Sequence, residues 1–389
     1  MAMLTAVTML AAVAALLGTS SAQPNTKGQR FEGFTYASNV IGYVNMTMDF
    51  CEIKPNTKGQ RFEGFTYASN VIGYVNMTMD FCEIKAAIEA GDWATATTIY
   101  STGKNSMSGL SRRSFSRFAS FAYSAEEPTH AALLMGRNAT YLDTVIREAL
   151  ANKNGALVLG LLQFSGIKYG IHEIDEAATK IAQYVANATA ENAALVSDDT
   201  GAPHSVDEAW ALWSSGSAMS CGSMSAWARM LGADMGTTFL GRSHINNGMT
   251  LVFNDLLATS RTADLPAYIA ARTSLTRHLI MLGLQGVSHS VFKAQHAARC
   301  KQAAAEAEAK AMIAVHWTYL EPLLVYRNTP AANIDMLEMA LTAPQADYAK
   351  ALPAIKAVVH KMGRRMAEVG TPDAKRITAG WNCPMHKQL

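Results

Sequence analysis

Apolar residues recur at helical spacing through most of this chain. From Tyr74 onward, Ile84, Ile88, Trp93, Ala96 and Ile99 fall close to a 3.6-residue period, interrupted at Gly91. Farther on, Ile167, Ile171, Ile174, Ala178, Ile181 and Val185 make a stripe at spacings of four and three, which places His172 on a helix. Residues 140–150 and 156–164 read as helices, and another restarts near Ser205 and continues through Trp213. The C-terminal half predicts helices over 269–284, 290–321 (alanine-rich and stopped by Pro322), 333–341 and 348–366. Breaks fall at 103–109, at 189–202, and at the Gly/Ser clusters around Gly216 and Gly222. Strand signals are scarce: 250–253 is the best, and 36–50 alternates in part. The pattern predicts an all-α fold, a multi-helix bundle in one large domain that can divide into two helical halves.

Composition agrees with a packed core. The 389 residues are 49% hydrophobic and 16% charged. A net charge of +2, from 33 basic and 31 acidic residues, argues against a nucleic-acid partner. The 21 methionines offer soft-metal ligands or, far more commonly, flexible core filling. Residues 3–17 form an apolar run followed by Gly18-Thr19-Ser20-Ser21-Ala22. This reads as a signal peptide over 1–22, because the run is shorter than the roughly 20 residues a spanning helix needs. No later segment is long and apolar enough to span, and residues 381–389 carry no hydrophobic tail. A soluble, extracytoplasmic chain is expected, and the sequons at Asn45, Asn76, Asn138 and Asn187 fit it.

Residues 24–54 recur letter for letter as 55–85. Solenoid repeats diverge and need at least three copies, so this is a tandem duplication of another kind. Only the second copy runs on into Ala86, which makes it the native one and leaves 23–54 as a surplus arm before a main domain at 55–389. Cysteine counting points the same way. Cys51, Cys82, Cys221, Cys300 and Cys383 are an odd set for an oxidising compartment; without Cys51, four remain for two disulfides, with three pairings open.

Four constellations could carry chemistry. His-x-x-Asp-Glu-Ala occurs twice, at His172–Ala177 and His204–Ala209. On a helix, residues i and i+3 share a face, so each copy can aim an imidazole and a carboxylate at one point. Around the first copy, Tyr169, His172, Glu173, Asp175 and Glu176 are hard oxygen and imidazole ligands suited to ferric iron. With the isoleucine stripe inward, Asp175 sits at its border, while His172 and Glu176 point largely outward, as on an ordinary charged face. In the second copy, Ser205-Val206-Asp207-Glu208 matches a capping box, which explains the same residues without a metal. His316, Tyr319 and Glu321 could form a third site or a buried aromatic stripe. Arg112, Arg113 and Arg117, set among hydroxyls, could hold an anion such as carbonate or phosphate, or simply form a solvated basic loop. Nucleotide-binding glycine loops, nucleophile elbows and His-Glu-x-x-His are missing, and the one Glu-x-x-His, Glu127–His130, contains a proline.

Asp92-Trp93-x-x-Ala96-x-x-Ile99-Tyr100-x-x-Gly103-x-Asn105-Ser106, His172–Ala177, Val206–Ala211, Leu284-Gln285-Gly286 and Tyr319–Leu323 together resemble the Fea-type, low-iron-inducible periplasmic proteins of algae, relatives of the phytotransferrins. The resemblance covers about residues 80–345 and rests on the order of several motifs. It implies extracellular capture of ferric iron (Fe3+), with carbonate as synergistic anion, for delivery to a membrane iron transporter or reductase. It carries over His172, Glu173, Asp175, Asp207 and Glu208 as motif positions, with Glu321 as a weaker match. The duplication and the lack of a C-terminal anchor depart from the pattern, and the latter favours a free periplasmic protein. Two rivals stay open: a helical metalloenzyme, such as a reductase or imelysin-like protein, and a cell-wall interaction protein whose acidic helices are only surface.

Overall fold

The computed structural model describes residues 56–122, 127–135, 137–215, 221–381 and 383. The signal segment, the 23–54 arm, Asn45 and Cys51 lie outside them. Among the described residues, three small antiparallel hairpins punctuate the helices: β1–β2 (Arg61–Phe62, Phe65–Thr66), β3–β4 (Met107–Ser108, Ser111–Arg112) and β5–β6 (Thr238–Phe239, Arg242–Ser243). The helices are α1 (Ile72–Val75), α2 (Met77–Glu89), α3 (Trp93–Thr102), α4 (Phe115–Ala119), α5 (Pro128–Leu134), α6 (Tyr141–Ala151), α7 (Gly155–Ala186), α8 (Ala202–Ser214), α9 (Met224–Asp234), α10 (His244–Arg261), α11 (Leu265–Arg299), α12 (Ala303–Tyr326), α13 (Ala331–Leu341), α14 (Tyr348–Lys361), α15 (Met366–Val369) and α16 (Ala374–Ile377). The all-α expectation holds.

Two long helices organise the bundle. α11 pairs most extensively with α12, and α7 with α8; α7 also packs on α4, α5, α6, α11 and α12. One contiguous apolar core joins them. α7 starts where the Asn154 side chain accepts from the Leu157 N–H, leaving one fewer orphan donor. It runs unbroken through Gly160, where a Cβ would stand 2.7 Å from Val315 of α12; the glycine allows that close approach. Likewise Gly286 of α11 makes room for the His316 ring, 2.0 Å from where a Cβ would be.

Several boundaries differ from the sequence reading, each for a packing reason. The stretches 156–164 and 167–185 are one helix, α7. The break expected between 284 and 290 falls instead at 300–302, where Lys301 takes a positive φ of 56°. Pro322 sits inside α12 rather than ending it. The 250–253 segment is helical, within α10, because Val252 and Phe253 bury on one helix face while Leu251 stays exposed. The alternating 36–50 segment lies outside the described residues; its copy becomes helical from Ile72.

Disulfides Cys82–Cys221 and Cys300–Cys383 use all four cysteines other than Cys51. The first ties α2, part of the second repeat copy, to the segment preceding α9. Among the described residues no helix is long and apolar enough to cross a membrane. Asn138 and Asn187 are exposed, whereas Asn76 is partly buried, with Nδ2 3.4 Å from the Asn105 carbonyl.

Candidate metal centre

The polar centre of the molecule lies where α7 meets α8 beneath the 67–75 segment. α7 supplies His172, Glu173 and Glu176, and α8 supplies His204, Asp207 and Glu208. The expected outward orientation of His172 and Glu176 is corrected: His172 is buried and Glu176 half-buried, because neighbours enclose α7 on nearly every side. The expected capping box is corrected too. α8 begins at Ala202, with Gly201 as N-cap and Pro203 in the first turn, so Ser205 lies inside the helix. Its hydroxyl meets the Lys180 ammonium at 3.0 Å, and Asp207 and Glu208 fall in the second turn, free of any capping duty.

Glu173 is the hub. Its Oε1 accepts from the Tyr74 hydroxyl at 3.1 Å, and its Oε2 is buried with no hydrogen-bond partner. The Glu208 carboxyl lies within hydrogen-bond reach of it. Burial first, and then the neighbouring Glu208 charge, push the Glu173 pKa well above the ordinary range; burial likewise raises Glu208. Two buried carboxylates side by side cannot both remain ionised without a cation.

Imidazoles stand at both ends of this pair. His172 Nδ1 is 2.7 Å from Glu127 Oε2. Burial opposes the charged form of His172, but Glu127 and Glu173 outweigh it and raise its pKa. The ligand atoms of His172, Glu173 and Glu176 all lie within 4.8 Å of one another. His204 Nε2 is 3.0 Å from Glu208 Oε1, and its Nδ1 is 2.8 Å from Ser69 Oγ. Ser69 donates its hydroxyl and its N–H to Asp207 Oδ2, at 2.7 and 2.6 Å. Burial lifts Asp207 to about 6, against the lowering effect of those bonds. Tyr169 stacks on Phe118 at 4.0 Å and meets the His172 ring edge-on at 5.1 Å. The phenols of Tyr74 and Tyr169 are raised by burial first and then by Glu173.

The remaining expected residues separate. Arg113 lies with its guanidinium 4.2 Å from the Tyr74 ring centre, and its charge lowers the Glu208 pKa. Arg112 and Arg117 are exposed. Asp175 is wholly buried but faces α11 and α5: Oδ1 pairs with Arg272 Nη1 at 2.9 Å, and Oδ2 accepts from the Thr129 N–H at 3.0 Å. Glu321 lies 3.9 Å from Arg137, and burial raises it to about 7. His316 and Tyr319 bond each other at 3.1 Å inside the core, where burial lowers the imidazole to about 3. That pair therefore does not converge with Glu321. The spacing argument found His172, Glu173, Glu176, Asp207 and Glu208 but missed Ser69, Tyr74 and Glu127. These come from segments far along the chain; Glu127 opens the Glu-x-x-His set aside for its proline, and Ser69 and Tyr74 carry no local pattern that marks them.

Carboxylates, imidazoles and phenols around an orphaned carboxylate oxygen form a donor set that fits a hard cation. The fold and this cluster define an all-α protein with a candidate cation site buried between two core helices. The chain belongs to the low iron-inducible periplasmic protein family, which it matches at residues 5–56 and 53–387. The periplasmic placement expected from the sequence agrees with that membership. No curated protein and no solved structure matches the chain.

Proposed function

We propose that this protein captures ferric iron outside the cell and holds it for a membrane iron transporter or reductase, as a binding protein rather than a catalyst. The observation that supports this best is Glu173: a buried carboxylate with one oxygen unpartnered, pressed against Glu208 between two imidazoles. A trivalent cation would neutralise both carboxylates and satisfy that oxygen. Glu173, Glu208, His172 and the phenols of Tyr74 and Tyr169 would hold it, the phenols losing their protons to water as they bind. Glu127 and Ser69 orient the two imidazoles through Nδ1, as outer groups do around metal-bound histidines.

Arg113, stacked on Tyr74, is the arginine of the basic segment that faces the cluster, and it suits a carbonate anion completing the shell in the phytotransferrin manner. Release would follow protonation of the carboxylates and of the anion, since metal ligands must be deprotonated to bind.

Titration of the purified protein with ferric nitrilotriacetate at neutral pH, with and without bicarbonate, should give saturable binding. A phenolate-to-iron charge-transfer band should appear and should be strengthened by bicarbonate. Glu173→Gln should lose the band. Absence of binding under both conditions sinks the reading.

A further inference from the structure

Residues 56–85 fill a slot in the helical body. β2 packs on α10, α1 on α8 and α2 on α7. Phe65 is fully buried, its ring 5.0 Å from that of Trp210 and 6.3 Å from that of Phe253. The Glu63 carbonyl accepts from Arg242 Nη2 at 2.9 Å, while Ser69 and Tyr74 bond Asp207 and Glu173. Phe81 lies against Gly222, where a Cβ would stand 2.6 Å from its ring, and the neighbouring Cys82 is bonded to Cys221. Each of these contacts is made by a residue of the second repeat copy.

The walls of the slot cannot tell the two copies apart. Residues 24–54 repeat 55–85 letter for letter, so Phe34, Ser38, Tyr43, Phe50 and Cys51 stand at the spacings of Phe65, Ser69, Tyr74, Phe81 and Cys82. The family match divides at the same place: 5–56 takes in the whole first copy and 53–387 the whole second. Side-chain complementarity is therefore equal, and only the covalent connection differs. The second copy runs on into the last turn of α2, where Ala87 and Ile88 are buried. Lys54 is followed instead by Pro55, which disfavours a helical residue before it. With the first copy seated, α2 would break there, and residues 55–85 would loop out and return at Ala86. Ala86 is exposed, so such a loop leaves at the surface, and closing it costs little more than closing a shorter one. The second copy is thus the preferred occupant and the first a reserve.

We propose that the slot between α7, α8 and α10 accepts either copy, and that residues 24–54 seat in it when 55–85 cannot. Cys51 then replaces Cys82 in the bridge to Cys221, and Ser38 and Tyr43 take the places of Ser69 and Tyr74. In the intact chain the bridge moves by thiol–disulfide exchange. The Cys51 thiolate bonds the Cys221 sulfur, the Cys82–Cys221 bond breaks, and Cys82 leaves as a thiolate with no net oxidation. The exchange stays within one chain, because the copies are joined end to end and a tethered segment has a high effective concentration. Packing and one disulfide carry this inference, so it stands apart from the iron-binding reading.

The test disables one copy at a time in the full chain. Each variant is refolded with oxidised glutathione, which takes up the electrons and protons released as a disulfide forms. The protein is then deglycosylated and digested with trypsin without reduction. Trypsin does not cut before Pro55, so the first copy's cysteine lies on peptide 31–58 and the second's on peptide 62–85, and the two differ in mass. Wild type should show 62–85 bonded to the Cys221 peptide. Phe34→Asp with Cys51→Ser should do the same and melt like wild type. Phe65→Asp with Cys82→Ser should move the bond to 31–58, remain monomeric on gel filtration and keep a cooperative melt by circular dichroism. The chain with all four substitutions has no copy fit to seat and should lose that melt. Three results overturn the exchange: Cys221 unpaired in the Phe65→Asp variant, that variant melting no higher than the quadruple one, or its Cys51–Cys221 bond linking two chains.

Discussion

Glu173 and Asp175 stand two residues apart on α7, both buried and both from the same short motif, yet they face different neighbourhoods. Asp175 looks toward α11 and α5, where Arg272 and the Thr129 N–H satisfy its two oxygens. Glu173 looks toward α8 and the 67–75 segment, where it meets another carboxylate and one phenol, and one oxygen is left over. Burial is therefore no guide to ligand capacity. What distinguishes the two sides is whether the interior already supplies the counter-charge.

The largest effect expected from that contrast is on stability, at Asp175. Asp175→Ala strands Arg272 in the interior and should cost about 3–5 kcal/mol in denaturant unfolding. Iron bound per folded molecule should stay the same. A loss of iron without a loss of stability would exchange the roles assigned to the two acids.

Glu321 is an intermediate case, buried but only loosely paired with Arg137. Its folded pKa of about 7 exceeds the ordinary 4.5, so the folded chain binds the proton more tightly. Its contribution to stability is full below 4.5 and is lost as pH rises through 7, by about 3 kcal/mol at the alkaline end. Glu321→Gln should flatten this decline. Thermal unfolding of both proteins at pH 5 and pH 8 measures it, and parallel curves would remove Glu321 as its source.

On the Glu173 side, Ser69→Ala removes the acceptor that fixes the His204 tautomer. Iron affinity should fall about 10–100-fold with little change in the apo fold. An unchanged affinity in competition with nitrilotriacetate would make the Ser69–His204 contact merely structural.

The smallest effect concerns the helix that carries both acids. A Cβ at Gly166 would touch nothing within 4 Å, and this glycine lines an apolar cavity with Ile171, Ala209, Met249 and Phe253. Gly166→Ala should stabilise the protein by about 1 kcal/mol through helix propensity, with iron binding untouched. A melting temperature that fell instead would mean that α7 cannot accept even a methyl on that face.

Much of the helical framework was legible in the chain. The apolar stripe of α7, the break near Gly91 and the restart before Trp213 all rest on local periodicity, and they stand within a few residues of the structure. Gly286 and Pro322 misled because each sits inside a helix. Gly286 packs against His316, so a neighbouring helix turns that apparent break into a close contact. The wheel failed at His172 for a related reason: it assumes one wet face, and α7 has almost none.

The site was half legible. A helix brings His172, Glu173 and Glu176 together by its own geometry, and this much followed from the letters. Tyr74, Ser69 and Glu127 meet their partners there across 45 to 135 positions of chain, and no helical spacing links them to it. By itself the sequence determined the all-α class, the helix that carries the acidic motif, and the chain's family. Only the tertiary structure decided which carboxylate met a counter-charge and which kept an unpartnered oxygen beside a second acid. Helical periodicity is set by neighbours three and four residues away, whereas the fate of a buried charge is set by groups that meet only once the chain has packed.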